Sequence, residues 1–340
     1  MCRAVELSAD LVLHPLQVAG HAESIFTCPE GENCDAPCGR KLLYKRWQAA
    51  GRGARERGFY GSAAAAAAGS LLPAFAGVAT RQEERFLALE DVTAVYSAPC
   101  VVDCKLGRRS WYDGARKTWV EKCAAKDEAC RSREVGFRLC GAVVCEASDA
   151  AGGSEVSERL GKEWGKQAGA RGRAGVAEAL AEVLRCSSGR RRIREGGAGC
   201  QGGDIVEELL SGGLRERLAA LEAWCTGAGK RCRINSASVL ILFEGDAKAA
   251  EANGGRRPEL KLIDFAHSFV EGATRPRRAA RAATLSDPAK RGARAPFGLV
   301  RSRSAQFAPP SPLFPPLSLN ECATVDAITL AALCRTSVDP

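Results

Sequence analysis

The 340-residue chain contains no run of about 18 apolar residues, so no membrane-spanning helix is expected. Met1–Asp10 carries acids early and has no long apolar stretch, so no signal peptide is expected. The sixteen cysteines include no CxxC repeat. The tightest cluster, Cys28, Cys34 and Cys38, therefore lacks zinc spacing and reads as a cysteine-tolerant loop. The cysteines as a whole are expected to be reduced thiols of an intracellular protein. A large charge excess is also missing from most of the chain. Residues 271–340 hold ten basic and five acidic residues, leaving 39 against 35 for residues 1–270. So mild an imbalance argues against a general nucleic-acid coat and leaves room for local basic pockets. Finally, there is no Walker A sequence and no HRD catalytic loop, which sets aside P-loop enzymes and ordinary protein kinases.

What is present is a succession of short apolar and helical segments. Residues 11–27 read as extended or turn-rich, and 40–47 as a strand with basic flanks. A helix is predicted over 54–68, ending in six alanines before Gly69. Strands are predicted at 86–95, 99–106 and 136–146, and again at 238–244 and 260–265, the last two separated by a Gly, Ala and Asn-rich linker. Residues 117–131 are helical in pattern, 174–186 form a short amphipathic helix, and Leu214, Leu218, Leu221 and Trp224 fall at helical spacing. Residues 148–173 and 187–203 read as loops, the second containing Arg190, Arg191 and Arg192. Beyond 271 the chain turns basic and then Pro-rich, and is expected to be disordered apart from a short helix near Val325–Cys334.

Three segments carry possible chemistry. In Pro99–Gly107 (PCVVDCKLG), a strand would put Asp103 and Lys105 on one face, because the side-chain period is two. Such a pair can serve one phosphate: the lysine neutralises it and the acid binds a hydroxyl or takes its proton. In Ile263–His267 (IDFAH), an Asp at the end of an apolar strand is placed as a Mg²⁺ ligand against a nucleotide would be. Lys45 on a strand with Glu56 on the following helix matches the pair that positions ATP phosphates in kinase-like folds. Singly, these also suit a surface ion pair, a turn cap and two solvated charges. Their order adds weight. Strand lysine, helix acid, an apolar strand ending in Leu89–Val92, an Asp/Lys strand and a late Asp-Phe follow the order of a kinase-type nucleotide site.

Taken together, these motifs resemble the inositol polyphosphate kinases. The PxxxDxKxG signature matches at Pro99, Asp103, Lys105 and Gly107. The late Asp-Phe motif matches at Asp264–Phe265, and the Ser-rich strand before it at Ser236–Glu244. Gln17–His21 is similar to the family's QVAGH, Lys45 to its Tyr-Lys, Glu56 with Phe59 and Tyr60 to its ExxFY, and Gly136–Gly141 to its GFRxxG. The likeness covers about residues 12–268. Trp111-Tyr112, Glu121–Cys123 and Lys126-Asp127 look most like the plant and algal multikinases, and Ala266-His267 points away from the dedicated trisphosphate 3-kinases. From Ser268 onward the chain departs from the family's DxGYLxGLxxL closing segment.

The resemblance implies an α+β, two-lobed kinase-like fold of the inositol polyphosphate kinase and SAICAR synthase type. It would have an antiparallel N-lobe sheet in residues 1–92 up to the hinge and a mixed C-lobe in 93–270. The inositol phosphate-binding helical segment would lie at about 111–135, followed by a divergent tail, 271–340. It implies ATP and Mg²⁺ as cofactors, with Lys45, Glu56, Glu90, Val92 and Asp103 on the ATP side and Asp264 as metal ligand. Asp103, Lys105 and His267 would be catalytic, and Lys105, Lys122 and Lys126 would bind substrate. Asp103 is either ribose ligand or base. Lys122 and Lys126, at i and i+4, can reach one substrate from a single helix face. The expected activity is phosphorylation of inositol tris- or tetrakisphosphate hydroxyls. The alternatives are a hexakisphosphate kinase and a catalytically impaired inositol phosphate-binding protein; a basic nuclear scaffold whose tail binds nucleic acid fits the near-neutral body least. A monomer in nucleus and cytoplasm is expected.

Overall fold

A computed structural model of the chain describes residues 5–7, 10–18, 23–29, 39–112, 114–148, 154–194 and 208–270. The expected order and disorder beyond 271 lie outside the described residues.

Two sheets organise the fold. The first contains β1 (Val5–Glu6), β2 (Val12–Leu13), β3 (Ile25–Thr27), β4 (Leu42–Arg46), β5 (Phe75–Arg81) and β6 (Glu84–Glu90), in the order β1-β5-β6-β4-β3-β2. It is antiparallel except for the short β1–β5 pair, which is parallel. Tyr44, Ala79, Phe86 and Ala88 form its small core. The second sheet, order β12-β11-β7-β8-β9, is antiparallel throughout: β7 (Pro99–Leu106), β8 (Phe137–Ala147), β9 (Ser154–Leu160), β11 (Ser238–Glu244) and β12 (Glu259–Ile263). A minor ladder joins β10 (Cys232–Arg233) to β13 (Phe269–Val270).

Between β4 and β5 lie α1 (Arg52–Tyr60) and α2 (Ala63–Ala68). The single helix expected over 54–68 is broken at Gly61-Ser62, because the Ser62 hydroxyl accepts from the Ala65 N–H and caps a new helix. Both helices pack into the larger core with the second sheet. Phe59, Ala64, Ala65 and Ala68 join Val102, Leu139, Val239, Leu262 and Phe265 there. Phe59 stacks on Phe265 at 3.6 Å between centroids, and the Trp224 indole N–H donates to Ala64 O at 2.9 Å.

The remaining helices are α3 (Lys117–Ala129), α4 (Ser132–Val135), α5 (Lys162–Ala170), α6 (Gly172–Arg194), α7 (Arg215–Thr226) and α8 (Ala247–Ala252). Here the structure corrects two expected loops. Residues 148–173 contain β9 and α5. The glycines that suggest a loop are instead close approaches: a Cβ at Gly165 would stand 2.1 Å from Leu139 O, and one at Gly169 2.7 Å from Cys130 O. Likewise α6 runs to Arg194, so Arg190–Arg192 lie on a helix and not in a loop. The strand expected over 86–95 ends at Glu90, because the Asp91 carboxylate accepts from the Thr93 N–H and hydroxyl and turns the chain. The cysteines also need one correction. Among the described residues eight are buried cysteines outside any disulfide, but Cys28, just after β3, is disulfide-bonded.

The link between the sheets, 91–98, is held at both ends. His14 Nδ1 accepts from the Leu16 N–H, so Nε2 carries the proton it donates to Asp91 Oδ2 at 3.1 Å. At the far end the buried Glu244 carboxylate accepts from the N–H groups of Ser97, Ala98 and Asp246 at 2.7, 2.8 and 3.0 Å. Glu244→Ala leaves these donors unpaired. It should cost about 3 kcal/mol of stability, at roughly 1–3 kcal/mol per buried orphan, with Glu244→Gln costing less. Urea unfolding midpoints measure this; an unchanged midpoint for the alanine variant would refute it.

Candidate active site

Strand β7 is buried on both faces. Cys100, Val102, Cys104 and Leu106 enter the main core, so Val101, Asp103 and Lys105 share the opposite face, as the alternation requires. On that face Val101 packs with Val92, Tyr96 and Leu242, and Val18 and Leu240 lie against them. Gly141 pairs opposite Asp103, where a Cβ would stand 2.7 Å from Leu160 O and 3.3 Å from Val18 O. Glycine thus lets the N-terminal segment approach the floor of the cleft. Arg159 grips that segment through the carbonyls of Pro15 and Gln17.

The charges meet at Asp264. Lys45 Nζ, from β4, donates to Glu56 Oε1 at 2.8 Å and to Asp264 Oδ1 at 3.0 Å. Lys105 Nζ stands 3.9 Å from Asp264 Oδ2 and donates to Ser236 O at 2.6 Å. Asp264 and Ser236 both have positive φ, 65° and 59°, which costs each of order 1–3 kcal/mol. The left-handed turn at Asp264 ends β12. The Phe265 N–H then donates to Glu56 Oε1, the Arg55 guanidinium to Ala266 O, and the Asn235 amide to His267 O.

Burial works against the Lys45 charge, but Asp264 and Glu56 outweigh it and hold the ammonium well above the ordinary lysine range. Burial likewise opposes ionisation of Asp264. Lys45 and Lys105 prevail and keep its carboxyl far below the ordinary value. Glu56, 1 % exposed, is pushed up by burial, with Asp264 acting in the same sense against the Lys45 pair. Asp103 is also raised by burial, against Lys105 and a hydrogen bond from Ser238, and its Oδ1 has no partner. Asp103 therefore suits a hydroxyl ligand or a proton acceptor better than a second metal ligand. The Asp264 carboxylate is 33 % exposed, with Oδ2 only loosely engaged. Among the described residues no cluster of three metal-ligating side chains exists. The donor set thus suits Mg²⁺ bound by a carboxylate together with phosphate oxygens, not an all-protein cage.

The structure brings Lys45, Glu56, Asp103, Lys105, Asp264 and His267 to one cleft. Its hinge side is Glu90 and Val92. Glu90 Oε2 accepts from the Ala74 N–H at 2.9 Å and pairs with Arg40 at 3.5 Å. The Val92 N–H has no partner among the described residues. Lys122 and Lys126 are exposed on α3, whose buried residues are Cys123 and Asp127. Asp127 anchors that helix: Ser110 donates to it through N–H and hydroxyl, and Arg138 pairs with it at 3.1 Å.

Several contributors were not assigned a role from sequence: Ser236, Asn235, Arg55, Tyr112 and Trp119. Trp119 could have been found by a helical wheel, since it lies three and seven residues before Lys122 and Lys126. Arg52 and Arg55 add positive charge around His267.

Two lysines on one partly exposed carboxylate, with a Val92 N–H that has no partner among the described residues, form the arrangement that a phosphotransferase of the kinase-like class would require. Residues 86–284 match the family model described as inositol polyphosphate kinase. The inositol polyphosphate multikinase of Oryza sativa subsp. indica is 31 % identical over 297 residues, covering 77 % of this chain and 87 % of the rice protein. Human inositol hexakisphosphate kinase 3 is 25 % identical, over 56 % of this chain and 45 % of that protein. The fold matches the crystal structure of an S. cerevisiae inositol phosphate multikinase in complex with ADP and Mn²⁺, at TM-score 0.56 and 17 % identity, over 87 % of this chain and 98 % of that one. The chain belongs to the inositol polyphosphate kinase family and is an enzyme of that family.

Burial, against the charge of Asp264 and with the cations Arg55, Arg52 and Lys105, lowers the His267 pKa from 6.5 to about 4. On acidification the unfolded chain takes up this proton first. The stability contributed by neutral His267 is complete above about pH 6.5 and is lost as pH falls toward about 4. His267→Gln should therefore flatten this limb of a stability–pH curve measured by thermal melts. An unchanged slope would refute the assignment.

Proposed function

We propose that the chain phosphorylates inositol polyphosphates with ATP, acting on the tris- and tetrakisphosphate class in the manner of a multikinase. The observation that carries this reading is the convergence of Lys45, Lys105 and Glu56 on Asp264. A strand lysine and a substrate-facing lysine there share one carboxylate.

In this reading adenine bonds the Glu90 carbonyl and the Val92 N–H. Lys45, oriented by Glu56, holds the ATP phosphates. Asp264 would hold Mg²⁺, which when bound would supply positive charge against the phosphates of ATP. Asp103 meets the ribose or the attacking hydroxyl; its raised pKa and unpartnered Oδ1 suit either. Lys105 leaves its parking place on Ser236 O to bridge the substrate phosphate and the transferring phosphoryl group. An inositol hydroxyl oxygen attacks the γ-phosphorus in line, the bond to the β-phosphate oxygen breaks, and ADP leaves. The hydroxyl proton passes to His267 or Asp103. Positioning and charge neutralisation supply most of the rate.

Lys122 and Lys126 would bind the phosphates of the inositol ring. On the helical wheel both lie within about 60° of Trp119, which meets His267, so their side of α3 leans toward the reacting centre. The rice relative's similarity over most of both chains favours the multikinase type.

The deciding experiment is Mg²⁺-dependent ATP turnover on inositol 1,4,5-trisphosphate and on inositol hexakisphosphate. Lys105→Ala and Asp264→Asn should each lose at least about 100-fold in kcat. Turnover of the hexakisphosphate alone would replace the multikinase reading, and a folded protein that binds the trisphosphate without turnover would end the kinase reading. The double variant Lys122→Ala/Lys126→Ala should raise KM for the trisphosphate about tenfold, with KM for ATP little changed. Equal change in both constants would remove these lysines from the substrate site.

A further inference from the structure

Helix α3 is held to the molecule unevenly. At its C-terminal half Asp127 is fixed by Ser110 and Arg138. Only Cys123 and Asp127 are buried along its 13 residues, so the N-terminal half has little apolar anchorage. What it has is Trp119. The indole lies face to face with the His267 imidazole, with centroids 4.8 Å apart and planes at 22°. Tyr112 closes the cluster, 5.3 Å from Trp119, 5.9 Å from His267 and 4.9 Å from Phe269. The imidazole is otherwise weakly tied. Its Nδ1 is buried with no partner, and the hydrogen bond at this residue goes to the backbone, from Asn235 to His267 O. The backbone is thus pinned, and the ring depends on the indole for its orientation.

We infer that Trp119 is a positioning residue for phosphoryl transfer, setting the plane of the His267 ring and locking the lysine-bearing helix to the reacting centre. This inference rests on the kinase reading above. Three features carry it. The stack is close and nearly parallel, so rotation of the imidazole out of plane meets the indole. Trp119 shares its helix side with Lys122 and Lys126, so a substrate held by those lysines and the ring at the reacting hydroxyl share one rigid element. The arrangement spans two distant segments, carrying Tyr112 and Trp119 on one side and His267 and Phe269 on the other, which no backbone ladder joins among the described residues. Misplacing a reacting group by about 1 Å can cost about 100-fold in rate, so a stack of this kind has leverage without touching substrate.

The test combines kinetics with proton NMR. The chain has only three histidines, His14, His21 and His267, so their imidazole C–H resonances are few enough to follow. In the wild type one of them should lie upfield of the other two, from the ring current of Trp119, and should vanish in His267→Gln. Trp119→Leu should move it downfield toward the others, short of any displacement that Tyr112 retains, and lower kcat by about 10- to 100-fold, with KM for ATP changed less than about twofold. Trp119→Phe, which keeps a ring, should retain kcat within about threefold and part of the upfield displacement. If the leucine variant does not fold, Trp119→Gln replaces it. Full kcat in a folded variant without the ring would overturn the inference, as would a wild-type spectrum with no displaced resonance. Wild-type protein without turnover on any inositol phosphate would instead overturn the kinase reading itself.

Discussion

The cleft depends on one buried cluster of charge, the Lys45 ammonium held between Glu56 and Asp264. Each of its members comes from a different element: β4, α1 and the turn after β12. An ion pair at about 4 Å is worth about 4 kcal/mol at an effective dielectric constant of 20, while taking each ion out of water costs several. The cluster therefore adds little net stability. What it does is fix geometry. With Glu56 also accepting from Phe265 N–H, the first sheet, its helix and the end of the second sheet have one relative placement that satisfies all the groups. Lys105, waiting on Ser236 O, is the member least committed to this arrangement.

The part of this constellation made by Asp103, Lys105 and Asp264 was legible in sequence for a simple reason. Alternation along a strand places Asp103 and Lys105 on one face whatever the rest of the chain does, and an Asp ending an apolar strand is visible as such. The strand lysine and helix acid, Lys45 and Glu56, became legible only through their order with the others. The groups that hold the site were not. Asn235 and Ser236 act through a side-chain amide and a backbone carbonyl, and the left-handed geometry at Ser236 and Asp264 has no glycine to announce it.

Fold details were misread where glycine had two meanings. Gly165 and Gly169 look like loop residues, yet each sits in a helix because a neighbouring backbone leaves no room for a Cβ. The edge strand β9 was hidden by its polar sequence, Ser154–Leu160, half of which faces outward. The break between α1 and α2 turned on a single hydroxyl, Ser62, inside a stretch whose alanine content alone argues for one helix. In each case a local preference was overruled by a contact from far along the chain or by one capping group.

The packing of α1 and α2 decides which body these helices move with. These helices follow the lysine strand in sequence but are built into the larger body through Phe59 on Phe265 and Trp224 on Ala64. His14 on Asp91 and Arg159 on Pro15 and Gln17 pin the opposite side. A wide swing of the first sheet would instead have to break the bonds from Lys45 to Glu56 and Asp264, since α1 stays with the larger body. The segment 47–51, between the lysine strand and α1, joins an element of the first sheet to a helix of the larger body, so any relative movement of the two has to be absorbed there.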